Sequence, residues 1–374
     1  MAKGEKEFEH AKKIKGYGSY SSPYLEEEIA EEKNLGNGSR VKVTIIHNLE
    51  EFVGFIDGMP YDYKNPVFYR GHENANYLLL PSVYRCNIST ENKMIESFYR
   101  RFSDEIDSCK SEVEKLVLMQ HYGLPTRLLD ITESPFVALY FACSSRKNSL
   151  KKSDEDERWG EIILFQDSDP KSIISSRVSV MSSPAFLDEE FNLWQLGMKW
   201  KKDLNFMHDE KFIDLREVIR NSCIVRVPQN NPRIKNQHGA FIITTSNKIY
   251  SKNGESRAKW FTNFIGSKKR EYCFNDFKKK SDAKKIFEKD KTWHLCFKKM
   301  QPYSDSNTIE IFKTDPFNIN RLLYKKDGVQ QVCLIPPDCK RIIIKQLERF
   351  YYSEDFIFPD MDNVARKIAA EFKN

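Results

Sequence analysis

LVLMQHYGLPTRLLDITESPFVALYFAC, residues 116–143, is too irregular to be packing alone, and its reading decides the fold. Val113, Leu116, Val117 and Gln120 fall at helical spacing. Gly123 suits the end of that helix because it takes the left-handed conformation a helix C-terminus needs. Pro125 forbids continuation. Thr132 is the expected N-cap of a second helix, with Pro135 in its first turn. Residues 136–143 are apolar on nearly every face, which describes a helix buried on all sides. The stretch reads as helix, rigid turn, helix.

Between the two helices, Arg127 and Asp130 are separated by two leucines and flanked by apolar residues. Charges drawn out of water must be paired. Either Arg127 and Asp130 form a structural ion pair that pins the turn, or Gln120, His121 and Arg127 belong to a site in which Arg127 takes an anion. Both readings stay open on sequence.

Working outward, 374 residues can bury a large core, and we read one elaborated domain over 41–374 behind a polar N-terminal arm, residues 1–40. Charged residues at 30% and aromatics at 13%, without a low-complexity tract, give a globular composition and not a disordered one. The longest apolar run, 136–143, is far short of a membrane span, and MAKGEKEFEH lacks a signal peptide's apolar region. The expectation is a cytoplasmic protein with no membrane partner. The cysteines are scattered, with no Cys-x-x-Cys and no His at ligand spacing, so neither a metal site nor a disulfide framework is signalled. They read as free thiols, several in the core. A net charge of +6 permits an acidic partner and demands none.

VKVTII, residues 67–69, GEIILFQ, CIVRVP, AFIITT, WHLCF, TIEIF and QVCLI have strand character. Residues 49–56, 91–107 and CKRIIIKQLERFYY have helical spacing, and Trp194 and Trp200 fall in helical pieces. The fold class is α+β, a mixed β-sheet core with helices packed around it. On 91–107 the basic face of Lys93, Arg100 and Arg101 reads as solvated surface. A basic surface insertion is read near 250–291. Within it, 268–291 holds ten Lys or Arg against five Asp or Glu, interleaved with Tyr272, Phe274 and Phe277. Such a segment either holds nucleic acid, aromatics on bases and cations on phosphates, or is an amphipathic surface insertion.

Two further places carry candidate chemistry. Arg70 closes the strand at 67–69 beside Gly71, which allows close approach, so its planar fork suits a phosphate or carboxylate. The alternative is a strand-end arginine paired to a core carboxylate. Gly239 before AFIITT suggests a turn that brings Arg233 and Gln237 to the mouth of the strand, or one that those side chains tie through backbone hydrogen bonds.

QHYGLPTRLLDITESPFVALYFA resembles the signature of the prokaryotic FRG domain family: Gln-His-Tyr-Gly ending a helix, then Leu-Pro-Thr-Arg-Leu-Leu-Asp and Ala-Leu-Tyr-Phe-Ala. Tyr69-Arg70-Gly71 matches the element that names the family, with Tyr for Phe, and His72 stands where the family pattern has Gln. Leu80-Pro81-Ser82 with Arg85, then Arg233-Ile234, Gln237, Gly239 and Phe241, and finally Phe358-Pro359-Asp360-Met361-Asp362 continue the likeness from about residue 48 onward. The Asp pair there is an expected N-cap for a last helix.

The resemblance implies an association with bacterial defence or toxin-like systems. The strand ending in Tyr-Arg-Gly is also similar to the first motif of arginine-type ADP-ribosyltransferases, whose arginine holds NAD phosphate, and AFIITTS is faintly similar to their Ser-Thr-Ser strand. Such enzymes need a late glutamate, for which Glu310 in TIEIF is the candidate. The candidate site is thus His121 and Glu310 as catalytic groups, Arg70, Gln120, Arg127, Arg233 and Gln237 as ligand-binding groups, and Gly71, Asp130 and Gly239 as structural ones. Arginines and amides suit a nucleotide, NAD first, better than an apolar ligand. The other class is a non-catalytic FRG module whose polar residues are structural, with a nucleic-acid or protein partner.

Overall fold

A computed structural model of the chain describes residues 40–59, 65–75, 79–85, 91–144, 158–188, 190–192, 218–229, 231–253, 260–265, 268–273, 308–315 and 322–360, together with 33–34, 62, 77, 196 and 319. The strands are β1 Lys33–Asn34, β2 Arg40–Ile45, β3 Val67–His72, β4 Leu128–Thr132, β5 Gly160–Gln166, β6 Lys171–Ser172, β7 Glu190–Asn192, β8 Cys223–Arg226, β9 Gly239–Ile243, β10 Thr245–Asn253, β11 Trp260–Ile265, β12 Lys268–Cys273, β13 Thr308–Asp315, β14 Lys325–Lys326 and β15 Val329–Ile335. The helices are α1 Leu49–Asp57, α2 Glu91–Tyr99, α3 Ser103–Asp107, α4 Glu112–His121, α5 Pro135–Cys143, α6 Ser176–Ser182, α7 Pro232–Asn236, α8 Pro337–Glu348 and α9 Glu354–Ile357.

Among the described residues, ten strands form one mixed sheet in the order β1-β2-β15-β5-β3-β4-β9-β8-β6, with β14 on β15. Pairing is antiparallel except for β2 with β15 and β6 with β8. With helices packed around this sheet, the fold is α+β. β3 lies at its middle, and α5 crosses directly over it. The crossing is so close that a Cβ at Gly71 would sit 1.9 Å from the Ala138 carbonyl oxygen, and one at Gly160 would sit 2.4 Å from that of Ala142. Glycine on the strands and alanine on the helix let the backbones approach, which explains why an otherwise apolar helix is interrupted by small residues.

Side chains alternate across the strands, so each face builds its own core. Tyr69, Ile162, Leu164, Cys333 and Ile335 pack under α5, with Ile343 and Leu347 of α8 and Phe52 of α1. Phe68, Ile163, Phe165, Leu129, Ile131 and Ile242 face the other way onto Leu79, Leu322 and Leu323. A third cluster joins Val113, Leu116 and Met119 of α4 to α6 and to Leu128, Val225 and Phe241. Cys143, Cys223, Cys333 and Cys339 are buried free thiols, and Cys109 is a half-buried one. Among the described residues, no helix is long and apolar enough to cross a membrane.

The decisive stretch departs from helix, turn, helix. Residues between α4 and α5 form a strand, β4, pairing with β9 from Leu128↔Ile243 to Thr132↔Gly239. Its burial explains why: four of its five side chains, Leu128, Leu129, Ile131 and Thr132, are buried, on alternate sides of the sheet, which no surface turn allows. The cap of α5 is Ser134, whose side chain accepts from the Val137 amide, and Thr132 instead donates its hydroxyl to the Gln237 carbonyl at 2.6 Å. Residues 91–107 form two helices, α2 and α3, separated at 100–102. Lys93, Arg100 and Arg101 are exposed as read. Lys33–Asn34, within the expected arm, pairs with β2. Of the basic segment, β12 forms a hairpin with β11, and 274–291 lie outside the described residues, as do Trp194, Trp200, WHLCF and positions 361 and 362.

Candidate functional site

β3 pairs with β5 along its whole length but shares with β4 one register pair, Tyr69↔Thr132. Next to that pair, the side chain of Arg70 reaches from β3 across to β4. Its Nη1 donates to the Asp130 carbonyl at 2.5 Å and lies 3.9 Å from the Asp130 carboxylate. A guanidinium N–H stands where a strand amide would otherwise satisfy that carbonyl. On the other side Arg70 Nε donates to His72 Nε2 at 2.9 Å, and His72 Nδ1 lies 3.3 Å from Glu161 Oε2.

Gln120 reaches the same carboxylate from the last turn of α4. That turn is closed as the sequence requires: Gly123 has φ +85°, its amide donates to the Gln120 carbonyl at 2.9 Å, and the Leu124 amide donates to that of Met119 at 3.0 Å. Gln120 Nε2 donates to Asp130 Oδ1 at 2.6 Å, and Gln120 Oε1 accepts from the Thr126 hydroxyl, so both ends of the amide are fixed. The Asp130 side chain remains 64% exposed. It is a solvent-facing acceptor held between a cation and an amide.

His121, next on α4, lies 3.4 Å through Nε2 from Asn231 Nδ2. Asn231 is the N-cap of α7, accepting from the Arg233 and Ile234 amides. Arg233 lies over the Phe358 ring at 5.1 Å, with Nη1 3.9 Å from Asp360. Gln237 Nε2 donates to the Ile357 carbonyl at 2.9 Å, and Asn236 Nδ2 to that of Phe356 at 2.8 Å. These amides fasten α9 to α7. The left-handed residue of the turn into β9 is His238, at φ +46°, and a Cβ at Gly239 would meet Ile234 at an ordinary 3.5 Å.

Arg127 and Asp130 are not partners. The Arg127 guanidinium is buried against Glu91, Nε at 3.1 and 3.2 Å from the two carboxylate oxygens and Nη2 at 2.5 Å from one of them. Burial alone would lower the pKa of Arg127, but the carboxylate more than offsets this and raises it. Glu310 lies on β13, in register with Ser251 of β10, in a three-stranded sheet with β7 and apart from the sheet of Arg70. Among the described residues, no group of three or more His, Cys, Asp or Glu could hold a metal ion.

Arg70, Gln120 and Asp130 are therefore joined directly, and His121 leads through Asn231 to Arg233. Arg127 is engaged elsewhere. Sequence reasoning missed Glu161, although one carboxylate in the apolar run GEIILFQ signals a buried partner. It missed Asn231, although Asn before Pro232 is a helix-start signal. Glu91 gave no signal.

No curated protein and no solved structure matches the chain. A family-model match falls on the middle of the sheet and its crossing helix, and it leaves Arg233 and Gln237 outside. Residues 65–151, which bring Arg70, Gln120 and Asp130 together, match the family model of the FRG domain.

Proposed function

We propose that the protein binds a phosphate-bearing nucleotide, NAD first among the candidates, beside the exposed Asp130. Arg70 meets the phosphates, Asp130 and Gln120 take ribose hydroxyls, and His121 borders the site. The observation that carries this reading is the meeting of one cation, one amide and one solvent-facing carboxylate at Asp130. A nucleotide needs donors for its anionic oxygens and acceptors for its hydroxyls at one place, and an apolar ligand needs neither. We favour binding without consumption, because the glutamate a transferase would use, Glu310, belongs to a different sheet. In a bacterial defence or toxin-like setting such a module would sense the nucleotide.

Titration calorimetry with NAD, ADP-ribose and ATP tests this. Asp130→Ala should weaken binding about tenfold or more, as loss of a hydrogen bond to a charged group does. Its melting temperature should stay with the parent's, since that side chain is mostly solvent-exposed. No heat from any of the three ligands would sink the reading. Turnover of NAD would move it to the transferase class.

A further inference from the structure

We propose that Glu161 and His72 are a positioning pair that sets the plane of the Arg70 guanidinium, so that recognition of phosphate depends on two buried residues that touch no ligand. The inference rests on the reading of Arg70 as the phosphate-binding group. Arginine carries no acceptor, so the 2.9 Å contact from Arg70 Nε requires a lone pair on His72 Nε2. The imidazole proton then sits on Nδ1, which faces Glu161 Oε2 at 3.3 Å. The tautomer is fixed from both ends, in the order carboxylate, imidazole, guanidinium.

The fold supplies this chain deliberately. Arg70 and His72 are two apart on β3 and share a face, and His72 stands opposite Glu161 in the β3–β5 register. Between them Gly71 is pressed under α5, where a Cβ would collide with backbone, so the strand cannot shift to relieve a poor contact. His72 is 3% exposed and Glu161 0%, so water has little access to replace either partner. The guanidinium is pinned at Nε by His72 and at Nη1 by the Asp130 carbonyl, and two points on a planar group fix its plane. Without His72, one of those points is lost.

The ligand-free test is nitrogen-15 NMR of the full chain. The parent should show His72 protonated at Nδ1 and bare at Nε2, with a slowly exchanging Arg70 Nε–H. A parent carrying the Nε2–H tautomer would overturn the proposal, whatever the variants do. His72→Gln offers one amide that both accepts and donates, and should keep the slow Nε–H. His72→Leu offers neither and should lose it, and unchanged exchange there would refute the pinning.

With ligand, His72→Leu should lose about tenfold or more in affinity for ADP-ribose and little for adenosine, with His72→Gln restoring the loss. Equal loss for both ligands would mean a merely structural role and would overturn the proposal. A parent that binds neither ligand removes the nucleotide reading, while the NMR result still decides whether the pair holds Arg70.

Discussion

Replacing Glu91 by alanine should destabilise the fold by about 3 to 5 kcal/mol, because it leaves a buried guanidinium without its counter-charge. The structure makes this a severe case. The Arg127 and Glu91 side chains are 3% and 4% exposed, and Nε and Nη2 both engage the carboxylate. Glu91 opens α2, while Arg127 directly precedes β4, so the pair also ties a helix to the centre of the sheet. Urea unfolding followed by tryptophan fluorescence would measure the loss. Asp130→Ala is the internal comparison: its carboxylate is 64% exposed and does not contact Arg127, so it should cost less than about 1 kcal/mol. The reasoning fails if Glu91→Ala unfolds with the parent, or if Asp130→Ala is the more damaging change. An Arg127→Met/Glu91→Leu double variant should recover much of the loss, since an apolar pair of similar volume avoids desolvating two charges.

Gly71→Ala should cost about 3 kcal/mol or prevent folding, because its Cβ would meet the α5 backbone and not a movable side chain. Gly54→Ala, with nothing within 4 Å, should instead gain about 0.5 to 1 kcal/mol, and similar melting of the two variants would refute the close crossing. Stability should also fall at alkaline pH. Burial pushes the Tyr69 phenol up to about 12 from 10.0 and raises the Tyr140 phenol and the Cys143 and Cys333 thiols. Each group then favours the protonated native state: its contribution is complete below the ordinary value and is lost as pH rises through the folded one. Urea midpoints should therefore decline above about pH 9, less steeply in Tyr69→Phe, and a flat profile to about pH 11 would refute this.

What was legible in the sequence was local. Gly123 announced its left-handed turn and Pro135 the first turn of α5, because backbone chemistry at one residue decides each. The strands GEIILFQ and QVCLI were legible from apolar runs too short for helices. β4 was not, since Leu128, Leu129 and Ile131 between two helices fit either period, and pairing with β9, more than a hundred residues on, decided the matter. The partner of Arg127 was hidden for the same reason. Asp130 was the nearest carboxylate in sequence, but on a strand adjacent positions face opposite ways and a neighbour three residues off need not be a neighbour in space.

That same geometry separates the arginines the sequence could not rank. Arg127 gives its guanidinium to a buried carboxylate, so an incoming anion would have to displace Glu91 and leave it charged in the core. Arg233 shares its charge between Asp360 and the Phe358 ring while fastened to the C-terminal segment. Arg70 gives Nε and Nη1 to neutral acceptors, an imidazole nitrogen and a peptide carbonyl, and its nearest point to Asp130's carboxylate is 3.9 Å through a solvent-facing side chain. The contacts at Nε and Nη1 orient the guanidinium, and an exposed carboxylate at that distance is weakened by solvent. Arg70 is 17% exposed and held in plane by those two contacts, so for the phosphate proposed to meet it the ordering cost of that side chain is met by the fold before any ligand arrives.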